Sequence, residues 1–239
     1  MVVAVAVLIA LVGAVLLVVS GFGYRGGVWP LGIAFRLLRI GAWVALVGGV
    51  LSVLGLIVTR PGSGRRGFVL SLIGTIIGLG GFGVMAAWEV SARRAPPIHD
   101  ITTDMTNPPQ FVTILPLRAD APNSPQYGGA EVAAQQRAAF PDIAPAELPI
   151  PEGAAFRVAL KAARDRGWEI VAADSAAGRI EATATTTWFG FKDDIVIRIS
   201  PTERGSRVDM RSESRVGRGD VGTNARRVRA FIAQLEHTV

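Results

Sequence analysis

From Val2 to Val19 the chain carries no charged or strongly polar side chain. These eighteen residues, at about 1.5 Å of helical rise each, reach roughly 27 Å, close to the hydrocarbon thickness of a bilayer. The run therefore predicts a membrane helix. A cleaved signal peptide is the competing reading, but nothing basic precedes the run and no A-x-A-like site follows it around Ser20 and Gly21. A retained helix is expected.

Two further runs have the same character, Ile40 to Val58 and Phe68 to Trp88. The first lies between Arg39 and Arg60, and the second between Arg66 and Glu89. An arginine at a helix centre costs about 2.5–3.5 kcal/mol on insertion, so these charges mark the ends. Residues 1–90 thus read as a transmembrane region with helices over about 2–22, 40–58 and 68–88. Trp43 and Trp88 fall near run ends, where an indole suits the headgroup layer. Small residues recur, including Ala10 and Ala14, Ala45 and Gly49, and the GxxxG pair Gly74 and Gly78, which allow close helix packing within the chain or between copies. No run contains an internal ionisable residue, and ion paths and proton relays need them, so a channel or transporter is disfavoured.

The chain is basic overall, but the excess belongs to the membrane part, in the segments that flank its apolar runs. Residues 1–90 hold six Arg against Glu89 alone, whereas residues 91–239 hold nineteen basic and eighteen acidic side chains. A nearly neutral soluble part argues against nucleic-acid binding. There is no cysteine, which excludes thiol chemistry, disulfides and Cys-based metal sites. Only His99 and His237 are available as imidazoles, and no cofactor is expected.

Residues 91–150 read as a proline-rich strap or linker. Eleven of the fourteen prolines lie between Ala95 and Pro151, which disfavours long helices and central strands. One helical island is expected from about Gly129 to Ala139. From 151 to 239 the pattern is regular. A helix opens at Pro151 and Glu152 and ends before Gly167, with Phe156, Ala159, Leu160 and Ala163 on one face. Four alternating stretches follow, Trp168 to Ala172, Arg179 to Thr186, Asp194 to Ser200 and Ser206 to Val216. A last helix starts after Asp220 and carries Val221, Ala225, Val228, Ile232 and Leu235 as its apolar stripe. The expected fold class is α+β, with an α-β-β-β-β-α domain whose antiparallel meander is covered by helices on one face.

Three motifs occur in order. Pro97-Ile98-His99-Asp100-Ile101-Thr102-Thr103-Asp104 is followed by Pro108-Pro109 and Phe111; Trp188 to Arg198 reads WFGFKDDIVIR; and Gly205 to Gly217 reads GSRVDMRSESRVG, with Asp220, Gly222 and Asn224 behind it. Together they resemble the bacterial family known as domain of unknown function 1499, over roughly residues 95–237. The resemblance implies a membrane-tethered or lipid-tethered domain and supplies no reaction. Many relatives carry an Asn-Cys-Val-Ser-like segment, which this cysteine-free chain lacks.

Candidate site residues fall in three groups. Asp193 and Asp194, expected in a loop before the third strand that carries Trp188, Phe189, Phe191 and Lys192, form a carboxylate pair beside aromatic walls that could hold a cation or a sugar or serve as acid and base; a strand entrance with aromatics covering the sheet end is the simpler reading. His99, Asp100 and Asp104 supply one His and two carboxylates, the side-chain set of a facial-triad metal site; a strap bonding its own backbone explains the same residues. Arg207, Asp209, Arg211, Glu213 and Arg215 alternate along the fourth strand and share one sheet face with Arg179, Glu181, Thr183, Thr185 and Arg198. That face is expected to be open to water, with Arg207, Arg211 and Arg215 available to a partner or to anionic headgroups.

The expected role is a non-catalytic interaction or assembly module of the bacterial envelope or of a membrane complex, with a membrane protein as partner and lipids around the helices. The alternatives are a membrane-proximal acid-base hydrolase using Asp193 and Asp194 and a small-ligand or lipid binder. No G-x-S-x-G, P-loop or H-E-x-x-H motif occurs. Location is expected in the inner or cytoplasmic membrane, multi-pass. Arginine counting alone, with Arg60, Arg65 and Arg66 on one side against Arg25, Arg36, Arg39, Arg93 and Arg94 on the other, places the domain in the cytoplasm by a margin of two. The resemblance implies an exported domain, because relatives often carry a basic stretch before the first helix or a lipoprotein-type signal, and extracytoplasmic is the expectation kept.

Overall fold

The computed structural model describes all 239 residues and separates into two units. The first comprises Met1–Ser91 together with Thr187–Gly190; the second comprises Ala92–Thr186 and Phe191–Val239.

In the first unit the three apolar runs form α1 (Val2–Arg25), α2 (Leu31–Val58) and α3 (Phe68–Arg94), each long and apolar enough to cross a membrane. The helices outrun the apolar stretches that predict them. Arg36 and Arg39 lie inside the first turns of α2, because a long side chain can bury its stem and carry its charge out to the headgroups. Glycines set the packing. A Cβ at Gly48 would lie 2.2 Å from the Ala10 backbone nitrogen, and one at Gly78 would lie 2.5 Å from Gly49. Gly74 meets Ser52 and Val7 in the same way, so the GxxxG pair packs against helices of its own chain.

The second unit contains β1 (Asp100–Thr102), a single 3-10 turn (Leu115–Arg118), α4 (Gly129–Ala139), β2 (Ala146–Leu148), α5 (Glu152–Asp165), β3 (Glu169–Asp174), β4 (Arg179–Thr185), β5 (Lys192–Thr202), β6 (Gly205–Ser214) and α6 (Thr223–Thr238). The four predicted strands form an antiparallel meander, and the sheet order is β1-β6-β5-β4-β3. Two strands go beyond those that alternation predicts. β1 pairs with Arg211–Glu213 and β2 with Ser206–Val208, so both lie on the free edge of β6.

The meander's alternation sorts its side chains. Ile180, Ala182, Ile195, Ile197, Ile199, Val208 and Met210 face a core closed by Phe156, Ala159 and Ala163 of α5 and by Val228, Phe231 and Leu235 of α6. The opposite face carries the charges. It is not open to water: Arg211, Glu213, Glu181 and Asp194 are fully buried and Asp209 is 1% exposed. The proline-rich residues between β1 and α4 cover it, with Phe111 and Ile114 resting on Val196.

Candidate functional site

Register decides which charges meet on the covered face. Asp194 of β5 lies opposite Glu213 of β6 and Thr183 of β4, while Asp100 of β1 flanks Glu213 from the other side. Arg118, at the end of the 3-10 turn, reaches down between them. It donates to Asp194 Oδ2 and to Glu213 Oε1, each at 2.8 Å. Arg215 forks onto both oxygens of Asp194 at 2.8 and 2.9 Å, and Thr183 Oγ1 donates to Oδ1 at 2.8 Å.

Arg211 is the centre of the second half. It forks onto Asp100 at 2.9 and 2.8 Å, donates to Glu213 Oε2 at 3.2 Å, and bonds the backbone oxygens of Pro109 and Pro125. Its guanidinium lies over Phe111 and beside Tyr127, 4.8 and 5.7 Å from the ring centres. Arg118 packs on the same Phe111 ring at 5.3 Å. A buried arginine whose plane is covered by aromatics and whose donors are aimed at oxygens is the arrangement in which this side chain tolerates desolvation.

The remaining carboxylates are held as firmly. Glu181 accepts from the backbone amides of Val112, Thr113 and Ile114 and from Arg179. Asp209 accepts from Thr103, Arg198 and Arg207. Six arginines (118, 179, 198, 207, 211 and 215) thus face six carboxylates (100, 104, 181, 194, 209 and 213), with the more exposed Asp174 a further partner 3.7 Å from Arg179.

Burial nevertheless shifts the titration. Glu213 is pushed up to about 8, first by desolvation and then by the neighbouring Asp100 carboxylate, against the pull of Arg118 and Arg211. Asp100 is also raised, by burial, although Arg211 opposes it. Tyr127 is raised to about 12 by desolvation and by Asp100.

Asp193 and Asp194 are adjacent in β5 and therefore point to opposite faces. Asp193 pairs with Arg227 of α6 at 2.6 Å, beside a chain of bonds linking Arg227, Ser212, Asn224 and Ser214. The sheet thus lies between the two carboxylates. His99, Asp100 and Asp104 do not converge either: Asp100 belongs to Arg211, Asp104 bonds Arg198 and the amides of Thr106 and Asn107, and His99 Nδ1 lies 3.4 Å from the Arg218 oxygen. Arg207 grips Asp209 and is about one-third exposed. Lys192 is exposed, with its carbonyl bonded by the Arg215 amide. The Phe191 amide donates to Thr186 Oγ1 at 2.9 Å. Trp188 and Phe189 group with the membrane helices.

Arg118 is not among the residues that sequence pattern singles out. It sits in a stretch without periodicity, and its only signal is the need of Asp194 and Glu213 for a further cation. Arg227 and Asn224 are likewise hidden, on a helix whose visible pattern is its apolar stripe.

The family described as protein of unknown function (DUF1499) matches residues 100–235, more than half of the chain. The chain belongs to this family. The DUF1499 match begins at Asp100, the first residue of β1, and so takes in the strap, the buried network and most of α6. No curated protein and no solved structure gives a significant match.

Proposed function

We propose that this DUF1499 protein is a membrane-anchored, non-catalytic interaction or assembly module of the bacterial envelope or of a membrane complex. The observation that carries the reading is that the carboxylates of the covered face are committed to arginines or backbone amides of the same chain. An acid or base needs a carboxyl group within hydrogen-bond reach of a substrate. Asp194 instead receives two guanidinium groups at full burial, and Asp193 is separated from it by the sheet. The network's work is to hold the strap.

The strap in turn offers a surface. Val112, Leu115 and Leu117 are 50%, 42% and 55% exposed, on a segment whose backbone is fixed by Glu181 and Arg215. A rigid apolar ridge of this kind suits a protein partner in or at the membrane. The test is site-specific photo-crosslinking in the native membrane, with the reactive residue at Leu117 or, as reference, at Glu203 in the turn after β5. A discrete adduct from position 117 alone supports the module. Normal folding and full native function after Leu115→Glu and Leu117→Glu together, with no adduct, would remove it.

A further inference from the structure

The connection between β4 and β5 runs over residues 186–191, and its residues Thr187–Gly190, which carry Trp188 and Phe189, cluster with the membrane helices. Trp188 Nε1 donates to the Val18 oxygen at 2.9 Å. Gly21 makes room for it: a Cβ there would lie 2.5 Å from the indole ring and 2.8 Å from Phe189. Phe189 is 6% exposed, edge-on to Trp188 at 4.9 Å, stacked on Phe35 at 5.7 Å and tilted against Tyr24 at 6.2 Å. Arg25 closes the group by bonding the Thr187 oxygen.

Depth follows from helix geometry. Val18 lies seven residues before Arg25, the last residue of α1. That is about 10 Å along the axis, deeper than the roughly 5–8 Å of headgroup layer on one side of a bilayer. With Arg25 among the headgroups, the Trp188 indole reaches the top of the hydrocarbon, where its amphipathic ring is most at home. A second indole uses the same helix end in the same way: Trp29 Nε1 bonds the Ser20 oxygen at 3.0 Å, and a Cβ at Gly23 would strike its ring.

We propose that the β4–β5 connection is a membrane-inserted anchor, with Trp188 and Phe189 seated at the boundary between headgroups and acyl chains of the bilayer that α1 spans. This goes beyond the interaction-module reading, which rests on the strap, and it takes the aromatic pair away from ligand binding. Trp188 bonds helix backbone and Phe189 packs against aromatic rings, while the Arg25 bond lies at the upper rim of the tip.

The absence of cysteine makes the test direct. Full-length protein carrying Trp188→Cys, in liposomes, is labelled with a charged, membrane-impermeant thiol reagent and compared with Glu203→Cys. A charged reagent is excluded from hydrocarbon, so labelling at 188 is expected to be at least about tenfold slower than at 203. The second measurement keeps an aromatic in place: the emission difference between wild type and Trp188→Phe reports Trp188 alone, and lipids brominated on the acyl chain are expected to quench it. Equal labelling rates would overturn the anchor. Slow labelling without lipid quenching would overturn it too, by showing a tip enclosed in protein. Either result leaves the strap-based function untouched, and the crosslinking from Leu117 decides that separately.

Discussion

Arg118 and Asp194, 76 positions apart, meet at 2.8 Å with both side chains buried. The bond fastens a proline-rich segment with little secondary structure of its own to the middle of a sheet. Removing one partner of a buried ion pair leaves the other charge without compensation, at a cost of about 3–5 kcal/mol. Arg118→Met is therefore expected to destabilise the soluble unit by that amount and to make the Thr103–Tyr127 stretch sensitive to protease before the sheet unfolds. Denaturant unfolding of the full chain in detergent, with timed proteolysis, measures both.

The titration of Glu213 gives a pH dependence of unusual sign. Its folded pKa is raised to about 8 from an ordinary value of 4.5, so between those values the folded state holds a proton that the unfolded state has lost. Stability is then highest below about pH 4.5 as far as this group is concerned, and falls as pH rises toward 8. The full shift corresponds to about 5 kcal/mol as an upper bound, and rearrangement around Arg118 and Arg211 reduces it, so a fall of about 2 kcal/mol between pH 5 and pH 8 is expected. Asp100, also raised, adds in the same direction. Glu213→Gln should flatten the profile; an equally steep slope in that variant would assign the effect to another group.

Gly167 ends α5 with φ of +71°, as a glycine after the last turn of a helix commonly does. A Cβ on Gly167 would meet no atom within 4 Å, so the expected penalty of a side chain is backbone strain alone. Gly167→Val should lower stability by about 1–3 kcal/mol, and Gly167→Asn by clearly less. Thermal unfolding of the two variants side by side checks the ranking.

The two adjacent aspartates should separate on mutation. Asp194→Asn leaves Arg118 and Arg215 facing a neutral amide in a fully buried place, whereas Asp193→Asn weakens one pair with a partly exposed Arg227. The first is expected to cost about 3 kcal/mol and the second about 1 kcal/mol. Comparable losses in unfolding experiments would mean that the network is shared through the sheet.

Membrane sidedness is expected to follow the exported reading. A phosphatase fused after Val239 should be active and a fluorescent reporter that matures only in the cytoplasm should stay dark. The reverse pattern would restore the arginine count as the better guide.

Much of this fold is legible from side-chain period. The apolar runs locate α1 to α3, and alternation with turn residues locates β3 to β6. β1 and β2 are not, because each has three residues and exists only by pairing with β6. The charged stripe Arg207 to Arg215 shows that one face is polar, and period alone does not distinguish water from a cover of folded chain. Near-equal numbers of arginines and carboxylates on that face are the available clue, since a solvated face needs no such balance. The cover itself reads as strap or linker, and Arg118 within it has no periodic neighbours to mark it as buried.

The pairing of both β1 and β2 with β6 has a consequence for synthesis. One end of the strap, Asp100, is made 113 residues ahead of its β6 partner Glu213 and the other, Leu148, 58 residues ahead of Ser206, and Arg118 is made long before Glu213. Such separations make folding slow to begin. The nascent segment has no native partner to bind until the hairpin of β5 and β6 has emerged. Its prolines, which forbid long helix and central strand, keep it from committing elsewhere in the meantime. The order of translation thus makes closure of the strap one of the last events in building the domain.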